Sequence, residues 1–383
     1  MKILVFRFGS LGDTIMALPA LQWIRDHYGP ESDITLLENR SAGAEVSARH
    51  LLEGTSYVNH FLAYPTGKRD WNFFREMLHL IRGIRQQNFH AVINLAPGQR
   101  THRLAFWRDQ LFFSLCLIRN RIGFRPFTRQ FLYPRDPDGR LAMVPAEAAF
   151  LLERLTASGL ATGRSLADPL PPVDLELTEE ELRQAKTWLA SKRRHPDRPL
   201  VVMAPGVKQP VNQWPLDRYA ALGSALLRGE LCELVVIGGK KDLPLQEKLL
   251  ETWQEGIGAS GLFSPRLTAA ILSRSQLFIG SDSGPVHLAS AAGVPCIAIY
   301  SDRDSPGRWH PLGRQHQVLR KSVPCGGCGF SVCPRPDHLC VMSVGTSEVL
   351  DAAGTHLQPM RKRGGREEAT RQEATLKVKS MSE

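Results

Sequence analysis

Ser281–Pro295, SDSGPVHLASAAGVP, is the stretch whose reading decides the fold. It follows an apolar run, Leu277–Ile279, that reads as a buried strand, and a helix of small residues opens near Pro285. A strand that passes straight into a helix points the backbone N–H groups around Ser283 and Gly284 outward. First-turn amides have no partner within the helix, and the macrodipole adds roughly half a positive charge, so this turn suits phosphate. Asp282 would be repelled by phosphate and is better suited to accept hydrogen bonds from sugar hydroxyls, while His287, one turn in, can reach the same space. An N-cap is the commoner use of Asp or Ser at such a position, and this stretch alone does not separate the two readings.

The other end of the chain carries a matching turn. Lys2–Phe6 (KILVF) reads as a strand, and RFGSLGDTIMALPAL follows, with Gly9 and Gly12 flanking a turn and a helix starting near Asp13. Glycine at both positions would let a ligand approach the backbone closely. Open α/β sheets bind ligands at this kind of place, beyond the carboxyl end of a first strand. The segment is not the dinucleotide fingerprint, because GSLGD lacks the third glycine at its required spacing. Glu38, at the end of ITLLE, is a weak imitation of the ribose-binding acid of a dehydrogenase.

Taken together, the two turns resemble glycosyltransferase family 9, the heptosyltransferase family. Its members open with a strand, a G-S-[LM]-G-D turn and a helix bearing Pro, and carry D-[ST]-G-x-x-H-L-A in a second domain. Asp282, Ser283, Gly284, His287, Leu288 and Ala289 match that second pattern, and the resemblance runs from Lys2 to about Val349. It implies an α/β chain of the GT-B type, two Rossmann-like doubly wound domains facing across a cleft. The acceptor would be held by the first domain and the nucleotide sugar, ADP-heptose, by the second.

The patterning agrees with such an architecture. Strand-like runs (KILVF, DITLL, VNHFLAY, HAVINL) alternate with helical stretches such as Phe73–Gln86, and the alternation resumes with LVVMAPG, ELVVIGG, LFIGSDSG and CIAIY. Between the two series lie the proline-rich ADPLPPVDLEL and a capping box at Thr178 and Glu181. The expected domains are 1–170 and 171–345, followed by a closing helix over 346–360 that would pack back on the first domain, and a charged tail over 361–383 expected to be disordered. No apolar run is long enough to span a bilayer and the start goes directly into a strand, so a cytoplasmic protein is expected. The net charge is +10, and Pro97–Arg140 holds nine Arg against three Asp. Arg grips phosphates and carboxylates in a two-pronged way, so this stretch suits an anionic glycolipid acceptor and peripheral contact with the cytoplasmic face of the inner membrane. A solvated basic surface is the plain alternative. No nucleic-acid motif accompanies the Arg, so nucleic acid is not an expected partner.

Inverting sugar transfer needs a carboxylate to take the proton of the attacking hydroxyl and something to stabilise the departing diphosphate. The resemblance makes Asp13 that base; without it, a helix cap would explain Asp13. Gly9, Ser10 and Gly12 would line the same wall. Leaving-group charge would go to the amides at Ser283 and Gly284 and to a cation, for which Lys208 in PGVKQPVNQWP is the candidate. Many family members place a Lys two residues before the Trp-Pro of this loop, where this chain has Asn212. Asp242 matches an acidic position that the family uses on the nucleotide ribose, and a surface acid at a helix start explains it as well. No cofactor is required by the family pattern. Cys325, Cys328, Cys333 and Cys340 form C-x2-C-x4-C-x6-C, which could hold a structural zinc or iron or be four free thiols. A transferase with another nucleotide sugar or a protein acceptor, a sugar-nucleotide epimerase and a non-catalytic binding protein are the rival functions.

Overall fold

In a computed structural model that describes residues 1–39, 46–96, 103–124, 133–160 and 169–357, strand and helix alternate along both halves. The first half forms β1 (Lys2–Phe6), α1 (Leu11–Tyr28), β2 (Asp33–Asn39), α2 (Arg49–Leu52), β3 (His60–Tyr64), α3 (Trp71–Gln87), β4 (Ala91–Asn94), α4 (Arg103–Leu115), β5 (Asn120–Ile122) and α5 (Glu147–Thr156). Its strands are parallel in the order β3-β2-β1-β4-β5. The second half forms α6 (Glu179–Lys192), β6 (Leu200–Ala204), α7 (Leu216–Arg228), β7 (Glu233–Val236), α8 (Leu243–Trp253), β8 (Ile257–Gly258), α9 (Pro265–Leu272), β9 (Leu277–Ser281), α10 (Gly284–Ala291), β10 (Cys296–Tyr300), β11 (Gln317–Arg320), α11 (Leu339–Met342) and α12 (Thr346–Leu357). Its strands are also parallel, in the order β11-β10-β9-β6-β7-β8. Each sheet reverses its winding once, between β1 and β4 and between β6 and β9. Doubly wound sheets open a crevice at that reversal, beyond the carboxyl ends of the strands. The G-S-L-G-D turn follows β1 and the D-S-G turn follows β9, so both motifs sit at the reversals.

Helix α1 shows how the halves join. Every residue from Thr14 to Leu21 is buried, because the helix is covered by its own sheet, by α5 and by α10 of the second half. A helix apolar all round is a core helix and not a surface one. The small residues Ala289, Ser290 and Ala291 of α10 allow close approach, and a single apolar cluster runs from Ile3 and Ile15 through Val286 to Val202 and Phe278.

Polar ties reinforce this contact. Arg266 of α9 donates from Nη1 to the carbonyls of Leu51 and Leu175, each at 3.0 Å, and from Nη2 to the Glu176 carbonyl at 2.8 Å. Its Nε and Nη2 also clasp both carboxylate oxygens of Glu181 at 2.6 and 2.8 Å. Glu181 in turn closes the expected capping box with Thr178. The linker is therefore not slack: Tyr57 Oη donates to the Asp174 carbonyl at 2.8 Å.

One expectation changes. Helix α12 does not return to the first domain; Val349, Ala352, Ala353 and Leu357 complete the core around Leu222, Leu226 and Ile297 beside α7. The reason is that these four apolar residues share one helix stripe and the second sheet has an uncovered face to receive it. The Arg-rich stretch, expected to form one basic surface, is described only in part. Part of it forms α4 and β5, Arg135 lies on a strap that reaches the second domain through the Gly326 carbonyl at 2.8 Å, and the rest lies outside the described residues, as does the tail 361–383.

Replacing Arg266 by Ala strands a part-buried Glu181 and three carbonyls, and should cost about 3 kcal/mol in urea unfolding. The ion pair with Arg266 and the capping hydrogen bonds lower the Glu181 pKa against the opposing effect of burial. Its contribution is therefore present above the unfolded carboxylate value and lost as pH falls through the folded one. The gap between wild type and Arg266→Ala should shrink on acidification through that window; a constant gap would place the loss elsewhere.

Candidate active site in the interdomain cleft

The first wall is built by the turn between β1 and α1. Ser10 is the N-cap and Asp13 stands three residues in, so Asp13 is the reciprocal member of a capping box rather than the cap itself. Its Oδ2 accepts from Ser10 N at 2.7 Å and Ser10 Oγ at 2.8 Å. Its Oδ1 faces Arg7 Nη2 at 3.9 Å, and the side chain keeps 18% exposure. One oxygen is thus held by Ser10 while the other lies toward Arg7. Gly9 adopts φ of +138°, and a Cβ there would stand 2.6 Å from Asp13 Cβ; glycine is required for the carboxylate to fold back.

Behind this wall lies a buried charge cluster that the sequence did not reveal. Arg7, only 3% exposed, donates to the carbonyls of Phe8 and Leu95 at 2.8 and 2.9 Å. Burial lowers its pKa, and the nearby Asp13 and Glu147 oppose that. Glu147 is fully buried and receives Arg308 Nε at 3.0 Å from the second domain. Glu147 N also donates to the Arg308 carbonyl at 2.8 Å, so backbone and side chain both cross the interface here.

The second wall is the turn between β9 and α10, where Ser283 is the N-cap and Pro285 occupies the first turn. Asn212, 4% exposed, donates to the Asp282 carbonyl at 3.1 Å and to Asp282 Oδ2 at 3.0 Å, and accepts from Ser301 Oγ at 2.6 Å. Its amide is spent on tying together the ends of β6, β9 and β10, so it does not take over the role of a cation. Lys208 is exposed on the same loop. Asp242 is buried, with Oδ2 accepting from Gly239 N at 2.8 Å, so it closes its own turn.

Asp282 is pushed up to about 7, chiefly by burial, with Arg303 and the Asn212 hydrogen bond opposing and Asp304 and Asp13 adding to the rise. His287 is pushed down to about 4, again chiefly by burial against the pull of Asp13. It is a neutral imidazole at physiological pH. Asp13 of the first domain thus acts electrostatically on both motif residues of the second, which places the two turns on one cleft.

The contact that fixes their separation involves Gly12. A Cβ on Gly12 would stand 2.6 Å from His287 Cδ2, and one on Gly284 would stand 3.4 Å from Leu11 Cβ. Gly12 therefore serves domain approach, and His287 packs against α1 with 4% exposure. Sequence reasoning also missed Arg303, whose Nη2 donates to the Gly329 carbonyl at 3.0 Å while its charge acts on Asp282. Only its place shortly after a buried strand signals it. The four clustered cysteines, from buried Cys340 to exposed Cys325, form no disulfide, and among the described residues no group of three or more His, Cys, Asp or Glu is arranged to hold a metal ion. No described helix is long and apolar enough to cross a membrane.

Residues 77–336 match the sequence profile of glycosyltransferase family 9 (heptosyltransferase). Lipopolysaccharide heptosyltransferase 2 of Salmonella typhimurium is 23% identical over 334 residues, covering 84% of this chain and 88% of that protein. The crystal structure of a family 9 glycosyl transferase from Veillonella parvula superposes with a TM-score of 0.69 at 22% identity, over 93% of this chain and 97% of the other. That of Escherichia coli ADP-heptose lps heptosyltransferase II gives 0.67 at 20% identity, over 93% and 98%. The shared architecture is the GT-B fold.

Adding a methyl at Gly12 should wedge α1 from α10 and cost about 1–3 kcal/mol of stability. His287→Gly in the same chain should recover part of it, which a double-mutant cycle by thermal unfolding would read; strictly additive losses would show that the two residues do not press on each other. The raised Asp282 has its own signature. A carboxyl with a folded pKa above its unfolded one stabilises the fold at low pH and loses that contribution as pH rises from about 4 towards 7. Asp282→Asn should flatten the fall of stability over that window.

Proposed function

The chain belongs to glycosyltransferase family 9, and from that premise we propose that it transfers a heptose from ADP-heptose to an anionic lipopolysaccharide-core acceptor, with inversion at the anomeric carbon. The observation that carries the proposal is that the part-exposed carboxylate of Asp13 and the helix N-terminus of α10 are brought together by the packing of Gly12 on His287 and of Gly284 on Leu11. Asp13 takes the proton of the acceptor hydroxyl as its oxygen attacks the anomeric carbon. The bond from that carbon to the diphosphate breaks as the new one forms, and ADP leaves with the electron pair. The first-turn amides at Ser283 and Gly284 receive the departing charge, as preorganised donors do at helix N-termini. Lys208, and Arg303 beside Asp282, supply cationic charge on the same wall in place of the lysine that Asn212 replaces. No step is assigned to a metal.

Asp282 suits a sugar hydroxyl in either protonation state, since a carboxyl near its pKa can donate as well as accept. The acceptor enters from the first domain, beside Gly9 and Ser10. A lipid-linked acceptor of this kind also places the protein at the cytoplasmic face of the inner membrane.

Mass spectrometry of truncated core acceptors incubated with ADP-heptose should show a gain of one heptose. Asp13→Asn keeps the capping geometry but removes the base, and turnover should fall by about 10²–10⁴-fold with little change in stability. Undiminished turnover in Asp13→Ala would refute the mechanism. Asp282→Ala should raise KM for the donor more than for the acceptor.

A further inference from the structure

Helices α3 and α4 cover one face of the first sheet, where Leu80, Ile81 and Ile84 meet Phe112, Phe113 and Cys116 over Leu4 and Phe6. They are neighbours, with Arg85 Nε donating to the Leu115 carbonyl at 2.6 Å. That inward stripe satisfies the core, yet both helices carry a second apolar stripe that the core does not use. On α3 it is Trp71, Phe74 and Leu78, exposed by 81, 52 and 56%. On α4 and just beyond it is Leu111, Leu115 and Leu117, exposed by 62, 43 and 70%. Spacings of three and four residues put the α3 set, and Leu111 with Leu115, along one side of their helices, and Leu117 follows just after the end of α4. Singly exposed apolar residues need no explanation, but two rows on adjacent helices do.

The surroundings are cationic. Arg75 and Arg82 are exposed on α3, Lys68 and Arg69 just before it, and Arg119 just after α4. Three acids lie on or beside these helices: Asp70 caps α3 through Phe73 N at 3.0 Å, Asp109 pairs with Arg108 at 2.6 Å, and Glu76 of α3 is half-buried, so the cations outnumber them. We propose that this flank of α3 and α4 is a docking surface for an anionic lipid bilayer, with the apolar rows entering the interface and the cations facing lipid phosphates. Interfacial binding combines those two contributions, and Trp at a row's end suits the boundary. A second copy of this chain is the poorer occupant, because a symmetric contact would set the same cations against each other.

Position adds a consequence. In a parallel sheet the crossover helices begin at the carboxyl ends of the strands, so Trp71 opens α3 at the edge of the sheet from which the Gly9–Asp13 turn projects. Docking there would bring the mouth of the acceptor wall to the membrane. The choice of a membrane rests on the acceptor proposed above, but the test does not require sugar transfer.

The full chain should sediment with vesicles of phosphatidylethanolamine and phosphatidylglycerol, and about tenfold less with phosphatidylcholine vesicles or at high salt. Trp71→Ser/Phe74→Ser/Leu78→Ser and, separately, Arg75→Glu/Arg82→Glu should each lose about tenfold of that binding, with unchanged unfolding midpoints and unchanged turnover of a water-soluble acceptor. Three results would overturn the proposal: wild type ignoring anionic vesicles, either folded variant binding like wild type, or a wild-type dimer in sedimentation velocity that the triple variant dissociates. Failure of sugar transfer with intact vesicle binding would instead count against the function proposed above.

Discussion

Packing of the His287 ring on the bare backbone of Gly12 sets the geometry on which the rest of the molecule depends. It is a steric constraint, and a tight one: neither residue can grow without pushing α1 from α10. Because Asp13 lies in the first turn of α1 and α10 begins beside Asp282, the same contact fixes how far apart the two motif carboxylates stand. The continuous apolar cluster through both helices supplies the attraction, and the missing Cβ supplies the room.

The charges then follow from burial. Burying three arginines near one face is costly unless carboxylates accompany them, and Glu147 performs that service for Arg7, Arg154 and Arg308 alike. Its position on α5, bonded to Arg308 of the second domain, means that the field on Asp13 depends on how the domains sit. Asp13 is oriented by Ser10 on one oxygen and accompanied by Arg7 on the other. The first wall is therefore a carboxylate with a fixed direction, which is what proton abstraction from a positioned hydroxyl requires.

What the sequence disclosed was local chemistry. Both turns, the capping box at Thr178 and the strand-helix alternation were legible because their determinants lie within a few residues of each other. That Gly12 also makes room for the ring of His287 was not legible, since a glycine needed by a distant ring has the same local signature as one needed by a substrate. Arg7, Glu147, Arg303 and Arg308 were invisible for a related reason: each acts on residues far along the chain, and nothing beside them marks a buried charge. The docking of α12 on α7 was missed because an apolar stripe states that a helix has a partner without stating which. On α3 the periodicity gave the helix, but a single sequence does not distinguish the stripe that enters the core from the one left outside.

Asn212 and Asp282 resolve a tension that the sequence raised. An acid at a phosphate-binding turn should repel its ligand, and a lysine at position 212 would hold that acid ionised. Asparagine offers two neutral hydrogen bonds instead, and burial takes Asp282 up to about 7. Close to neutral pH an appreciable fraction of the carboxyl is then uncharged, which weakens its repulsion of the proposed diphosphate while keeping its capacity to bind a hydroxyl. Losing a cation on this wall is thus partly offset by losing an anion beside it. Of the positive charge proposed for the leaving group, that of the α10 amides and of Arg303 is placed by the strand ends and does not depend on position 212.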